Sequence, residues 1–73
     1  MVEVILSAMS GFPNSLQVQN NATIALSNMS KIEENIAVLN TEQVRMEVVL
    51  TEAMTRFPEC QKRCEEVLEA LAT

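Results

Sequence analysis

The stretch Val18-Gln-Asn-Asn-Ala-Thr-Ile-Ala-Leu-Ser-Asn-Met-Ser30 decides how the chain is read. Val18, Ala22, Ala25, Leu26 and Met29 recur at intervals of three and four. That is the period of an α-helix, so these residues predict one apolar stripe facing other helices. Small Ala22 and Ala25 beside larger Leu26 and Met29 suit close packing. Asn28 lies just off the stripe, near the expected helix end.

Working outward, the residues before this stretch predict a first helix over 2–11, with Ile5, Ala8, Met9 and Phe12 inward and Gly11 and Pro13 ending it. Asn14, followed three residues later by Gln17, forms a capping box for the second helix, which is expected over 15–30. A shorter third helix is expected over 32–39, with Ile32, Ile36 and Leu39 inward. Asn40-Thr41 reads as a break, and Asn40 with Gln43 makes another capping box. The fourth helix is expected over 42–56, where Met46, Val49, Leu50, Ala53, Met54 and Phe57 form a wide apolar face. Pro58 suits the first position of a fifth helix running to about Leu71. Its inward residues are Cys60, Cys64, Val67, Leu68 and Leu71.

The chain also resembles itself at a shift of 45 residues. Phe12-Pro13 recurs as Phe57-Pro58, and Val4, Ala8 and Met9 meet Val49, Ala53 and Met54. Ala25 and Leu26 meet Ala70 and Leu71, with no gap. A spacing of ~40–47 residues belongs to repeats built from a few antiparallel helices.

The residues 18–29 resemble the third helix of an armadillo repeat, written Val-Gln-x-x-Ala-x-x-Ala-Leu-x-Asn-Leu-Ala. Val18, Gln19, Ala22, Ala25, Leu26 and Asn28 match, and Met29 stands in for the Leu. The resemblance implies an all-α chain forming a segment of a right-handed α-solenoid. Residues 1–30 would be a partial repeat and 31–73 a whole one, in one domain of about five helices. The usual Gly between the first and second helices is replaced by Asn40-Thr41. Asn tolerates the left-handed conformation such a turn uses. A HEAT-type repeat, with two main helices, stays open.

The same resemblance implies a groove lined by third helices. In peptide-binding members an Asn near the helix end bonds the peptide backbone, and a Trp one turn earlier packs its side chains. Asn28 matches that Asn, Ile24 stands at the Trp position, and the second repeat has Glu69 and Thr73 there. The candidate lining is therefore Gln17, Asn21, Ile24 and Asn28, followed by Lys62, Glu66, Glu69 and Thr73. Glu65, Glu66 and Glu69 favour a basic or polar partner.

Composition narrows the function classes. Seventy-three residues make one small domain, and 48% are hydrophobic, enough for a core. The net charge of −5 comes from Glu alone and argues against nucleic acid, which needs clustered Lys and Arg. The only charged residue among residues 1–30 is Glu3, whereas 31–73 carry nine Glu against Lys31, Arg45, Arg56, Lys62 and Arg63. The N-terminal part is thus expected to be covered by something, and the rest to be wetted. No apolar run reaches the ~18 residues of a membrane span, and the apolar start lacks a basic leader. The chain is therefore read as intracellular and cytoplasmic. On that reading, Asn21-Ala-Thr23 and Asn28-Met-Ser30 are chance matches to the glycosylation pattern.

Catalysis, cofactors and metal find no support. There is no His, Asp or Tyr, and no phosphate-binding loop or nucleophile elbow. Cys60 and Cys64 share a helix face at a spacing other than Cys-x-x-Cys, so they read as small buried hydrophobes. Met9, Met29, Met46 and Met54 fall on core stripes. The function expected is a non-catalytic protein-interaction scaffold, itself part of a larger assembly or a homo-oligomer. The rival is a small helical structural subunit or chaperone-like protein, docking on one obligate partner or on itself. The repeat favours the first, and the short length and apolar first helix favour the second.

Overall fold

The structure, a computed structural model, describes residues 2–72. Among them five α-helices follow in order: α1 (Val2–Gly11), α2 (Leu16–Ser30), α3 (Glu33–Asn40), α4 (Gln43–Arg56) and α5 (Gln61–Ala72). A 3-10 turn, Pro58–Cys60, leads into α5, with Pro58 at the first position, where its missing N–H costs nothing. The all-α class and the five helices agree with the sequence reading.

The helix ends have local causes, and some differ from expectation. Gly11 lies inside α1, and no described residue has a positive φ, so its conformational freedom is unused. The chain leaves α1 through a tight turn in which the Ser15 N–H donates to the Phe12 carbonyl at 3.1 Å. Pro13 enforces that exit by restricting the residue before it. The N-cap of α2 is Ser15, not Asn14: its hydroxyl accepts from the Val18 N–H at 3.3 Å. The second expected capping box is absent. Asn40 is the last residue of α3, and Glu42 precedes α4 without a side-chain cap. The turn needs no left-handed residue, because Thr41 stays right-handed at φ −64° and its hydroxyl donates to the Val38 carbonyl at 2.6 Å.

Packing places α2 at the centre, against α1, α3 and α5, while α4 packs on α1 and α5. Leu6, Leu26, Leu39, Met46, Leu50, Cys60, Cys64 and Val67 are fully enclosed. The radius of gyration is 10.7 Å, against about 11 Å for a compact chain of this length. The expected faces of α4 and α5 are the buried ones: Met46, Val49, Leu50 and Ala53 on the first, Cys64, Val67 and Leu71 on the second. Met9 and Met46 are core residues, and Met29 and Met54 are partly buried against the core cluster.

Three other faces are turned from where periodicity put them. On α1 the buried line is Val2, Leu6 and Met9, while Ile5 is half-buried and Phe12 is 61% exposed. On α3 Leu39 is buried, but Ile36 is half-buried and Ile32 exposed. On α2 the buried residues are Gln19, Ala22, Thr23, Leu26, Ser27 and Ser30. Val18, Ala25 and Met29 are left half-buried at the rim. Every buried polar side chain among the described residues has a hydrogen-bond partner, which removes most of the penalty for burying it.

Candidate functional site

Two features of the tertiary structure bear on function: a polar seam between α2 and α5, and an uncovered apolar groove between α1 and α2. The seam begins with Arg63. Its Nε donates to the Thr23 hydroxyl at 3.2 Å, and its Nη2 donates to the Asn20 side-chain carbonyl. The Thr23 hydroxyl is free to accept because its own proton goes back to the carbonyls of Gln19 and Asn20, at 2.9 and 3.0 Å. One turn on, the Ser27 hydroxyl donates to Glu66 at 3.1 Å, and the Ser30 hydroxyl donates to the Ser27 carbonyl at 2.7 Å. At the other end of α2, the Gln19 amide donates to the carbonyls of Met9 and Phe12, both at 2.9 Å. These carbonyls lie at the C-terminal end of α1, where intrahelical donors run out.

The groove is lined by Val4, Ile5, Ala8, Val18, Asn21, Ala22 and Ala25, and encloses about 350 Å³. Its walls are hydrocarbon apart from the Asn21 amide. Val4 on its rim is 68% exposed. The counterparts of these residues 45 positions later are Val49, Leu50, Ala53, Arg63, Glu66, Val67 and Ala70. Of the apolar counterparts Val49, Leu50, Ala53 and Val67 are buried, and Ala70 is half-buried like Ala25. Val49 and Ala53 border the same narrow crevice as Met9 and Gln19 of the first two helices. Arg63 and Glu66 are the two residues that bond α2 in the seam. By the shift of 45 in sequence, the groove residues of α1 and α2 therefore align with residues of α4 and α5 that are mostly buried or engaged with α2.

The sequence-predicted lining lies elsewhere. Gln17, Asn21, Ile24 and Asn28 are all exposed and share one side of α2, adjoining the groove through Asn21. On α5, Lys62 and Glu69 are exposed, while Glu66 is half-buried and engaged by Ser27. Thr73 lies outside the described residues. The described members of both sets are thus surface side chains, Glu66 apart, and only Asn21 lines a groove. The α2 wall of the concave apolar surface is built instead from Val18 and Ala25, half-buried although periodicity assigned them to the core, and from Ala22, which is buried as expected. The signal pointing to it was the near absence of charge over residues 1–30.

A wider cleft of about 760 Å³ opens where the end of α1 meets the α3–α4 turn, bordered by Ser10, Pro13, Val44, Arg45, Val48 and Arg56. Arg45 spans toward α1 and donates to the Ser7 hydroxyl at 3.1 Å. The cysteines are unpaired and fully enclosed, and Arg63 approaches the Cys60 sulfur at 4.0 Å. Burial pushes the Cys64 thiol up to about 11, with the neighbouring Cys60 and Glu65 adding and Arg63 opposing. Such a thiol stays protonated and poorly nucleophilic near neutrality. Among the described residues no group of three Cys or Glu side chains is placed to hold a metal, and no helix is long and apolar enough to cross a membrane. No protein-family model, curated protein or solved structure matches the chain.

Proposed function

We propose that this chain is a non-catalytic protein-interaction module made of two stacked armadillo-like hairpins, a short segment of α-solenoid architecture. One observation carries the reading. The boundaries of one interhelical turn recur at the shift of 45: α1 ends at Gly11 and α4 at Arg56, and α2 begins at Leu16 and α5 at Gln61. A recurrence of element boundaries, added to the recurrence of residues, supports two copies of one supersecondary unit. The units would act by presenting surface, with a protein or peptide partner lying across the polar face of Gln17, Asn21, Ile24 and Asn28 and on to Lys62, Glu66 and Glu69. The glutamates there suit a basic or polar partner. The reading includes no cofactor, nucleic acid or membrane. The two unpaired, buried thiols suit a reducing, cytoplasmic setting.

The test is a selection of short peptides against the folded chain, followed by amide chemical-shift mapping. Shifts should cluster on Gln17, Asn21, Asn28, Lys62 and Glu69, and Asn28→Ala should weaken binding roughly tenfold while leaving the melting curve in place. Binding that maps to other faces, or no binder from a diverse library, would sink it.

The rival reading, a small helical subunit docked on one obligate partner or on a copy of itself, is favoured by the open apolar groove.

A further inference from the structure

We infer that α3 is a lid, which opens as a unit while the other four helices stay packed and uncovers an apolar recess on α2 and α5. The other four helices are held to one another by side-chain hydrogen bonds. Arg63 and Glu66 tie α5 to α2, Gln19 ties α2 to the end of α1, and Arg45 ties α4 to α1. Among the described residues no side-chain hydrogen bond or ion pair joins α3 to another helix; the Thr41 hydroxyl only closes onto Val38 in its own turn. Burial points the same way. Leu39 is the one buried residue of α3, with Asn35 and Ile36 half-buried and Ala37 and Val38 exposed. The next shortest helices, α1 and α5, bury three residues each, so α3 has the weakest hold on the core.

Local structure adds little to that hold. A helix of eight residues has no stability of its own in water. Ile32 stands at its N-cap in the extended conformation the position requires, but a hydrocarbon side chain accepts nothing from the first-turn N–H groups. Segments with few buried side chains and no cap are the ones that open ahead of global unfolding. Unwinding also frees length: an extended residue spans about 3.3 Å against about 1.5 Å in a helix, so α2 and α4 need not move when α3 lifts. What lies beneath is apolar. α2 and α5 run side by side in one direction, since Thr23 meets Arg63 and Ser27 meets Glu66 one turn on. α3 packs on both of them, and Leu39 is fully enclosed within the core cluster. Leu39 is thus the latch, and its withdrawal leaves a recess lined by core side chains.

Native-state amide hydrogen exchange, read residue by residue at rising sub-denaturing guanidinium, tests the inference. The hydrogen-bonded amides of α3 should be protected roughly tenfold less, or weaker still, than those of central α2, with little dependence on denaturant because little surface opens. Ile32→Ser supplies the missing cap at an exposed position and should slow exchange in α3 about fivefold while leaving α2 unchanged. Ala37→Pro, at an exposed position inside α3, should hold the lid open. Fluorescence of the apolar dye anilinonaphthalene sulfonate should then rise while α2 and α5 keep their protection. Equal protection in α3 and α2, at any level, would overturn the inference. So would unchanged α3 exchange in Ile32→Ser, or an Ala37→Pro chain that binds no dye or unfolds as a whole.

Discussion

The guanidinium of Arg63 on α5 donates its Nε–H to the hydroxyl of Thr23 on α2, at 3.2 Å, and so ties together the central helix and the last one. The same side chain holds Asn20, so one residue anchors two turns of α2. Arg63→Ala should cost about 1–3 kcal/mol, because two polar groups at a half-buried seam lose a charged donor. Arg63→Lys should recover little of that, since a single ammonium cannot span both acceptors with a planar fork. Urea denaturation of the three proteins, at constant m-value, checks the ordering.

Gln19 does for α1 what Arg63 does for the seam. Its amide serves the carbonyls of Met9 and Phe12 from a fully buried position. Gln19→Leu keeps the volume and removes the donor, so it should destabilise by about 1–3 kcal/mol despite being more hydrophobic. A stability equal to or above wild type would show that water reaches these carbonyls in place of the amide.

Leu26 is fully enclosed and sits on the buried line of α2. Leu26→Ala should cost about 2–5 kcal/mol, and Leu26→Asp should abolish the thermal transition of so small a domain. Leu71, which aligns with Leu26 at the shift of 45, is 7% exposed near the end of α5, so Leu71→Ala should cost less. Equal losses would mean that the end of α5 is as tightly held as the middle of α2.

The Cys64 thiol gives a pH dependence with a definite sign. Its value rises from 9.0 to about 11 on folding. The folded state then holds the proton more tightly than the unfolded one between those values. This contribution is fully present below pH 9 and is lost as pH climbs toward 11. Stability should therefore fall over that window, and Cys64→Ala should flatten the fall. At pH 7.5 alkylation of Cys64 should be slow and should accelerate with urea, since only opening exposes the thiol. A fast reaction in the native state would contradict the packing around α5.

How much of this was legible in the residues varies from helix to helix. The apolar faces of α4 and α5 could be read directly, because Met46, Val49, Leu50, Ala53, Val67 and Leu71 leave little competition for the core. The face of α2 could be read only in part: Ala22 and Leu26 are buried as expected. Val18, Ala25 and Met29 are as apolar as a buried stripe requires, yet α2 turns to bury Gln19, Thr23, Ser27 and Ser30 instead. Periodicity weighs hydrophobicity alone and cannot see that each of these four has a partner waiting. The candidate lining fared similarly. The positions on α2 do share an exposed side, as helical spacing demands, but Glu66 on α5 is drawn into the seam by Ser27.

The sequence by itself determined the helices and their order. Those depend on signals local in the chain: the 3.6-residue period, and Pro13 and Pro58 at the breaks. Only the tertiary structure decided which side of α2 faces inward and which apolar face is left open. That choice belongs to residues about 40 positions away: Arg63 and Glu66 stabilise a polar side of α2 that would otherwise be costly to bury. With that side turned inward, Val18 and Ala25 are left half-buried, and with the edge of buried Ala22 they line the groove against Val4, Ile5 and Ala8.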